Sequence, residues 1–95
     1  SEDDKIRKWV IASLMCRFEI CKRDFEKQFS LSFDPYFRKS AALLKKYQER
    51  EMVKMSSEKI EVTKKGELFI RNISSCFDAY YQRQSQSSPN FSKAV

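Results

Sequence analysis

The stretch MVKMSSEKIEV, residues 52–62, is where the periodicity of this sequence changes, and it therefore decides the fold. Polar and apolar residues alternate on both sides of a polar turn at 56–58, which is typical of two short strands joined as a hairpin. We therefore predict strands at 52–55 and 59–62. The rest of the chain has helical periodicity, and one Gly and two Pro among 95 residues are too few for a fold built mainly of turns and strands.

Three helices are predicted before the hairpin. The first covers residues 3–18, where apolar side chains recur at every fourth position and form one buried stripe. The members of that stripe are Ile6, Val10 and Leu14. The second is a short helix at 23–29. The third is predicted to have Asp34 as its N-cap and Pro35 as its first helical residue, and to end near Glu49.

A single long helix is predicted after the hairpin. Thr63 is a good N-cap, and Gly66 in the first turn would let a neighbour pack closely. The inward face of this helix is predicted to carry an apolar ladder of Phe69, Ile73, Phe77 and Tyr80, joined by Cys76. Residues 82–95 are rich in Ser and Gln and are predicted to form a polar tail.

The predicted fold class is mainly α with a small two-stranded β ribbon, in one winged-helix-like domain. Residues 1–81 form the helical domain and residues 82–95 the tail. In this arrangement the ribbon is the wing, and the last helix braces the other three.

Residue types that usually carry chemistry are scarce in this chain. It has no His, which removes the commonest general base and the commonest metal ligand. Its single Gly excludes a Gly-rich phosphate loop. Cys16, Cys21 and Cys76 match neither a zinc pattern nor a cluster motif, and we interpret them as reduced thiols in a core. We predict no catalytic, cofactor-binding or metal-binding residue, and no enzyme activity of the chain alone.

Two short segments of the last helix each allow two interpretations. Lys64 and Lys65 could hold an anion, or the segment could simply start the helix. Arg71, beside Asn72, could face solvent or pair with Glu67 four residues earlier. Arg71 could equally clamp a carboxylate, since a planar guanidinium donates two parallel hydrogen bonds. Arg71 and Asn72 are thus the candidate contacts for a substrate or for a domain interface.

The net charge of +6 and the lack of long apolar runs bear on partners and location. Lys and Arg are interleaved with acids, so the charge serves solubility as readily as binding to an anionic partner. No run approaches the roughly 20 apolar residues of a membrane span, and no signal peptide is evident. We expect a cytoplasmic protein with no membrane contact. The chain begins at Ser1 without an initiator Met, so we expect a piece of a longer polypeptide.

Several stretches resemble the C-terminal domain of the oxygen-independent coproporphyrinogen III oxidases. They are Ile6-Arg7, Leu14 to Phe18, Phe33, Tyr36-Phe37, Val62 to Gly66, Ile70 to Ile73, Cys76 to Tyr80 and Phe91 to Val95. The resemblance covers nearly the whole chain and is most specific in the three stretches between Val62 and Tyr80.

The resemblance implies a parent enzyme of haem biosynthesis in the radical S-adenosylmethionine class. In that family a partial (β/α) barrel holds a [4Fe–4S] cluster on a C-x₃-C-x₂-C loop. The parent reaction decarboxylates two propionates of coproporphyrinogen III, giving protoporphyrinogen IX. The loop and the S-adenosylmethionine site belong to the upstream barrel, so this chain is expected to hold no cofactor. Its expected partners are that barrel and, through Arg71, the carboxylates of the porphyrinogen.

Two other functions stay open on the residues alone. A winged-helix binder of nucleic acid would concentrate Lys and Arg on the third helix and the wing. Acidic residues dilute both regions here: Asp34, Glu49, Glu51, Glu58 and Glu61. We therefore expect no specific nucleic-acid contact. A protein-interaction module unrelated to haem is the other alternative.

Overall fold

The computed structural model describes residues 1–79 of the 95-residue chain. The helices in this part are α1 (Glu2–Arg17), α2 (Lys22–Phe29), α3 (Phe33–Tyr36), α4 (Arg38–Glu49), α5 (Lys64–Glu67) and α6 (Ile70–Ser75). The strands are β1 (Glu19–Cys21), β2 (Val53–Met55) and β3 (Lys59–Val62). The mainly α class with a small β element is confirmed. The tail predicted at 82–95 and the domain boundary at 81 lie outside the described residues.

The sheet has three antiparallel strands in the order β1-β3-β2, so the prediction of a two-stranded ribbon was wrong. The hairpin is present, with Val53 opposite Val62. The extra strand follows α1, which ends at Phe18 in the left-handed conformation (φ 60°). That turn brings Ile20 opposite Ile60, and both side chains are buried. With only three residues, β1 is too short for its alternation to be recognised in a sequence.

The core lies between the helices and one face of the sheet. The predicted stripe on α1 is confirmed, since its three members are at most 2% exposed. Next to it is an aromatic cluster of Phe25, Phe33, Phe37 and Phe77. The Phe25 and Phe33 ring centroids are 5.1 Å apart and the rings meet edge to face, a favoured aromatic geometry.

The third predicted helix begins two residues early and is interrupted. Its first turn is α3, with Ser32 at the N-cap position, so Asp34 lies inside the first turn and is not the cap. The Asp34 carboxylate instead binds Lys22 Nζ at 2.8 Å. The interruption is at Phe37 (φ −109°, ψ 34°), whose ring is 1% exposed in the aromatic cluster. Burial of that ring accompanies the break.

Thr63 caps a helix as predicted, but the long helix is in fact two short ones. The Gly66 amide donates to Thr63 Oγ1 at 3.2 Å. A Cβ at Gly66 would lie 2.1 Å from the Met52 carbonyl oxygen, so the close packing predicted for this glycine is confirmed. The break falls between α5 and α6, at 68–69. Phe69 is consequently 42% exposed, and its predicted inward position was wrong.

The remaining members of the predicted ladder fall into two groups. Ile73, Cys76 and Phe77 are buried, as expected. Tyr80 lies outside the described residues. Among residues 1–79 there is no helix of the length and apolar character that crossing a bilayer requires.

Candidate functional site

A shallow groove of about 290 Å³ runs between α1 and α6. It is lined by Ile11, Met15, Arg71, Ser74, Ser75 and Asp78. The two helices pack together because their apolar faces share the core, and the groove lies where that contact reaches the surface. It therefore combines an apolar wall from α1 with polar groups from α6 and the turn that follows.

Arg71 and Asn72, the two residues predicted from the sequence, are separated by this geometry. Both are exposed, but Arg71 lines the groove and Asn72 is absent from its lining. The Asn72 backbone carbonyl accepts a hydrogen bond from Ser75 Oγ at 2.6 Å. Within residues 1–79 no carboxylate lies within ion-pair distance of Arg71, so the pairing with Glu67 is not observed. The Arg71 guanidinium is thus available to an acidic group from outside these residues.

Ser74 is a groove residue that sequence reasoning missed. Its side chain is 5% exposed, and its Oγ has no hydrogen-bond partner among the described residues. A buried hydroxyl without a partner costs about 1–3 kcal/mol of desolvation. Helical periodicity gives no signal for it, because a Ser next to the buried Ile73 is compatible with either a buried or an exposed position. The groove therefore contains a polar group that a bound partner could satisfy.

Exposed apolar side chains line the groove or lie close to Arg71 in sequence. Leu68 is 88% exposed and Phe69 is 42% exposed in the turn that precedes α6. Met15, on the opposite wall, is 42% exposed. The fourth large exposed hydrophobic residue among residues 1–79, Leu31, is 37% exposed and follows α2. Most of the exposed large apolar side chains of this region are thus at the groove or next to it in sequence.

A larger and more open hollow of about 630 Å³ lies beside β2 and the start of α5. Its basic side chains are Lys54, Lys64 and Lys65. The anion site considered for the two consecutive lysines lacks support, because the amide of Gly66 is already bound to Thr63 and α5 has four residues. Unlike the groove, this hollow has no buried side-chain polar atom without a partner among the described residues that line it.

Near its N-terminal end, away from the groove, α1 is tied to its neighbours by a set of hydrogen-bonded polar groups, here called the clasp. Arg7 Nε donates to the Asp3 carboxylate at 2.8 Å, and Arg7 NH1 donates to the Phe77 carbonyl at 3.0 Å. The Tyr36 hydroxyl donates to the same Asp3 carboxylate. Burial and this hydrogen bond raise the pKa of Tyr36 from 10.0 to about 12. The clasp therefore joins α1, α3 and the chain that follows α6.

The three cysteines lie in different environments. Cys16 is exposed, Cys21 is half-buried and Cys76 is buried, so the expectation that all three fill a core was wrong for Cys16. Burial raises the pKa of the Cys76 thiol to about 11, which keeps it protonated. Among residues 1–79 no three His, Cys, Asp or Glu side chains are grouped to hold a metal ion. These cysteines consequently do not fit a [4Fe–4S] cluster.

These features define a small helical domain with an attached antiparallel sheet, closed at one end of α1 and open along the groove. The sequence identifies the family of this domain, because the family described as HemN C-terminal domain matches residues 1–69. The chain belongs to that family.

Similar proteins agree with the family and are much longer than this chain. An oxygen-independent coproporphyrinogen III oxidase from Thermostichus vulcanus is 39% identical over 93 residues, covering 98% of this chain and 28% of that protein. The enzyme of that name from Escherichia coli (strain K12) is 40% identical over 95 residues, covering 100% and 21%. The chain thus spans 21% to 28% of the length of these curated relatives.

A solved structure supports the same relationship at the level of the fold. It is that of coproporphyrinogen III oxidase (HemN) from Escherichia coli, a radical SAM enzyme. It matches with a TM-score of 0.82 and 41% sequence identity, over 84% of this chain and 18% of that one.

Proposed function

We propose that this chain is the C-terminal accessory domain of an oxygen-independent coproporphyrinogen III oxidase. It is inert alone, and it shapes or covers the substrate pocket of a catalytic domain in the same polypeptide. One observation carries this proposal: relatives of that name match essentially the whole chain, yet the match fills only 21% to 28% of their length. The open groove is in keeping with a domain that works against a neighbour.

In this proposal the residues upstream of the domain supply the redox chemistry. The catalytic domain holds the [4Fe–4S] cluster and S-adenosylmethionine, and the enzyme converts two propionates of coproporphyrinogen III to vinyl groups. This division is supported by the cysteines, which are too dispersed to hold a cluster among residues 1–79. The free thiols suit the reducing cytoplasm in which we place the enzyme.

The proposed architecture is of winged-helix type. Its support is the order helix, strand, three helical segments and hairpin, with a sheet ordered β1-β3-β2. The hairpin of β2 and β3 is the wing. Residues 1–81 constitute the domain and residues 82–95 its polar tail.

Arg71 and Asn72 are the proposed contacts of the domain with its surroundings. The exposed guanidinium of Arg71, without an acidic partner in residues 1–79, suits a carboxylate of the porphyrinogen or of the catalytic domain. Asn72 is exposed on the adjacent surface and would add a weaker polar contact.

The proposal is tested by removing the domain from the full-length protein. The truncated protein should keep the absorbance of its iron–sulfur cluster and lose anaerobic conversion of coproporphyrinogen III. Purified truncated protein is compared with full-length protein at equal cluster content, and the product is quantified by fluorescence after oxidation. Full conversion by the truncated protein would show that the accessory role is wrong.

Nucleic-acid binding is a second candidate, favoured by one observation. The exposed surface of α4 carries basic residues: Arg38, Lys39, Lys45 and Lys46. Interleaved acids in the wing argue for non-specific contact at most, which weakens steeply with salt. Titration of the chain with duplexes of different sequence at near-physiological salt distinguishes the candidates, since tight and sequence-dependent binding would favour the nucleic-acid function.

A further inference from the structure

The groove between α1 and α6, together with the Leu68–Phe69 turn, is an incomplete surface. Leu68 has 88% of its area in solvent, and the Ser74 hydroxyl is buried without a partner. Solvent exposure of large apolar groups and desolvation of an unbonded hydroxyl both cost free energy. One bound partner that covers the turn and reaches into the groove would remove both costs.

We propose that this surface is where the domain docks on the catalytic domain of its own polypeptide. The inference rests on the proposed function and specifies the face that makes the contact. The partner surface would have an apolar side chain against Ile11 and Met15, an acidic group on Arg71, and a polar group bonded to Ser74 Oγ.

Composition favours a protein as the occupant. Met, Arg and aromatic residues are enriched in the centres of protein interfaces, and Met15, Arg71 and Phe69 provide one of each. The groove, at about 290 Å³, is at the lower limit for a complete ligand pocket but is sufficient for one or two side chains of a partner.

The length of the relatives indicates which protein this is. In the two curated relatives, the aligned residues leave more than two thirds of the protein outside the match. A domain joined to such a neighbour meets it at a high effective concentration, so a modest surface is sufficient for docking. We therefore choose the catalytic domain in preference to a second copy of this chain.

Hydroxyl-radical footprinting of the full-length protein tests the docking face. In the 79 described residues Met15, Leu68, Phe69 and Leu31 are all accessible to oxidation. Docking should reduce oxidation of Met15, Leu68 and Phe69 several-fold below the level that their exposure in the domain alone predicts. Leu31, which neither lines the groove nor lies close to a lining residue in sequence, should react as its exposure predicts.

Substitution then identifies the cause of the protection. Leu68→Asp should restore the oxidation of Met15, because a carboxylate in an apolar contact is costly to desolvate. Leu68 is almost fully exposed in the domain, so this variant loses no internal packing. Leu31→Asp is the matched control and should leave Met15 protected.

Two results would overturn the inference, and they differ in what they mean for the function. If Met15, Leu68 and Phe69 are reactive, other residues are protected and truncation abolishes conversion, the docking face is wrong and the accessory role stands. If no surface residue is protected and truncation leaves conversion intact, both the docking face and the accessory role are wrong.

Discussion

Near the N-terminal end of α1, Arg7 donates to the Asp3 carboxylate and to the Phe77 carbonyl, whereas near its C-terminal end Met15 is 42% exposed on the wall opposite Arg71. Near one end of the helix the polar side chains are hydrogen-bonded within the domain, whereas near the other end an apolar side chain is left in solvent. Where hydrogen bonds and packing are complete, a substitution should change the stability of the domain. Where exposed groups have no partner in residues 1–79, a substitution should instead change contacts with the rest of the proposed parent enzyme.

The largest loss of stability is expected at Gly66, which packs closely against Met52 and Val62. Gly66→Ala would place a Cβ 2.1 Å from a backbone oxygen of Met52 and 2.9 Å from Val62 Cγ1. Because a backbone atom cannot rotate away, we expect the free energy of unfolding to fall by about 3 kcal/mol or more. Urea denaturation of the chain measures this. Lys65→Ala is the exposed control, and a loss below about 1 kcal/mol for Gly66→Ala would contradict the close packing.

Two arginines provide the most direct test of the contrast between closed and open ends. Arg7→Ala removes hydrogen bonds to Asp3 and Phe77 and should reduce the unfolding free energy by about 2 kcal/mol. Arg71→Ala removes an exposed side chain and should change it by less than about 0.5 kcal/mol. In the proposed full-length enzyme, Arg71→Ala should instead have the larger effect on catalysis. It should lower kcat/KM roughly 10- to 100-fold.

Three measurements on one Arg71→Ala preparation separate the possible roles of this residue. A substrate contact predicts lower kcat/KM with unchanged Tm and unchanged resistance to protease. A docking contact predicts lower kcat/KM together with faster cleavage of the segment joining the domains. Unchanged kinetics and Tm would remove Arg71 from either role.

The clasp should also give the domain a dependence on alkaline pH. The pKa of Tyr36 is about 12 when folded against 10.0 for an ordinary tyrosine, so the folded state holds the proton more tightly. The stabilisation from this residue is complete below pH 10 and is lost as the pH rises through about 12. Tyr36→Phe should therefore cost more stability at pH 9 than near pH 12, as urea titrations at the two pH values would show. A difference that does not depend on pH would contradict this linkage.

A small effect, with an informative sign, is expected at Ser74. Ser74→Ala removes a buried hydroxyl without a partner in residues 1–79, so the isolated chain should be unchanged or up to about 1 kcal/mol more stable. Ser13→Ala is the matched control, since the Ser13 hydroxyl donates to the Trp9 carbonyl at 3.0 Å. A clear loss of stability at Ser74 alone would show that its hydroxyl is already bonded within the domain.

The helical framework could be predicted from the sequence because its signals are local. The four-residue spacing on α1 and the Thr63 cap each lie within a few consecutive residues, and the structure confirms both. The third strand could not be predicted, because Ile20 becomes part of a strand only by pairing with Ile60, forty positions later in the chain. The same applies to Asp34, whose cap role is replaced by an ion pair with Lys22.

The candidate site could be predicted only in part. Arg71 can be recognised in the sequence because it is a charged residue next to the apolar positions of a predicted helix, where its side chain needs solvent or an acidic partner. Ser74 does not, since its burial depends on how α6 rotates after the break at Phe69. The exposure of Leu68 follows from the same break, and no periodicity argument would leave a leucine in solvent.

The position of β3 in the sheet has a consequence for how the domain folds as it is synthesised. β3 is the central strand in space but the last of the three in sequence, so neither β1 nor β2 has its final partner until residue 62 has left the ribosome. At about 5–20 residues per second, the roughly 40 residues after β1 take about 2–8 s to make. During that interval α1, β1 and α2 have been synthesised, but Ile20 is not yet paired with Ile60. We therefore expect ribosome-bound chains to gain protease resistance in one step, only after β3 emerges.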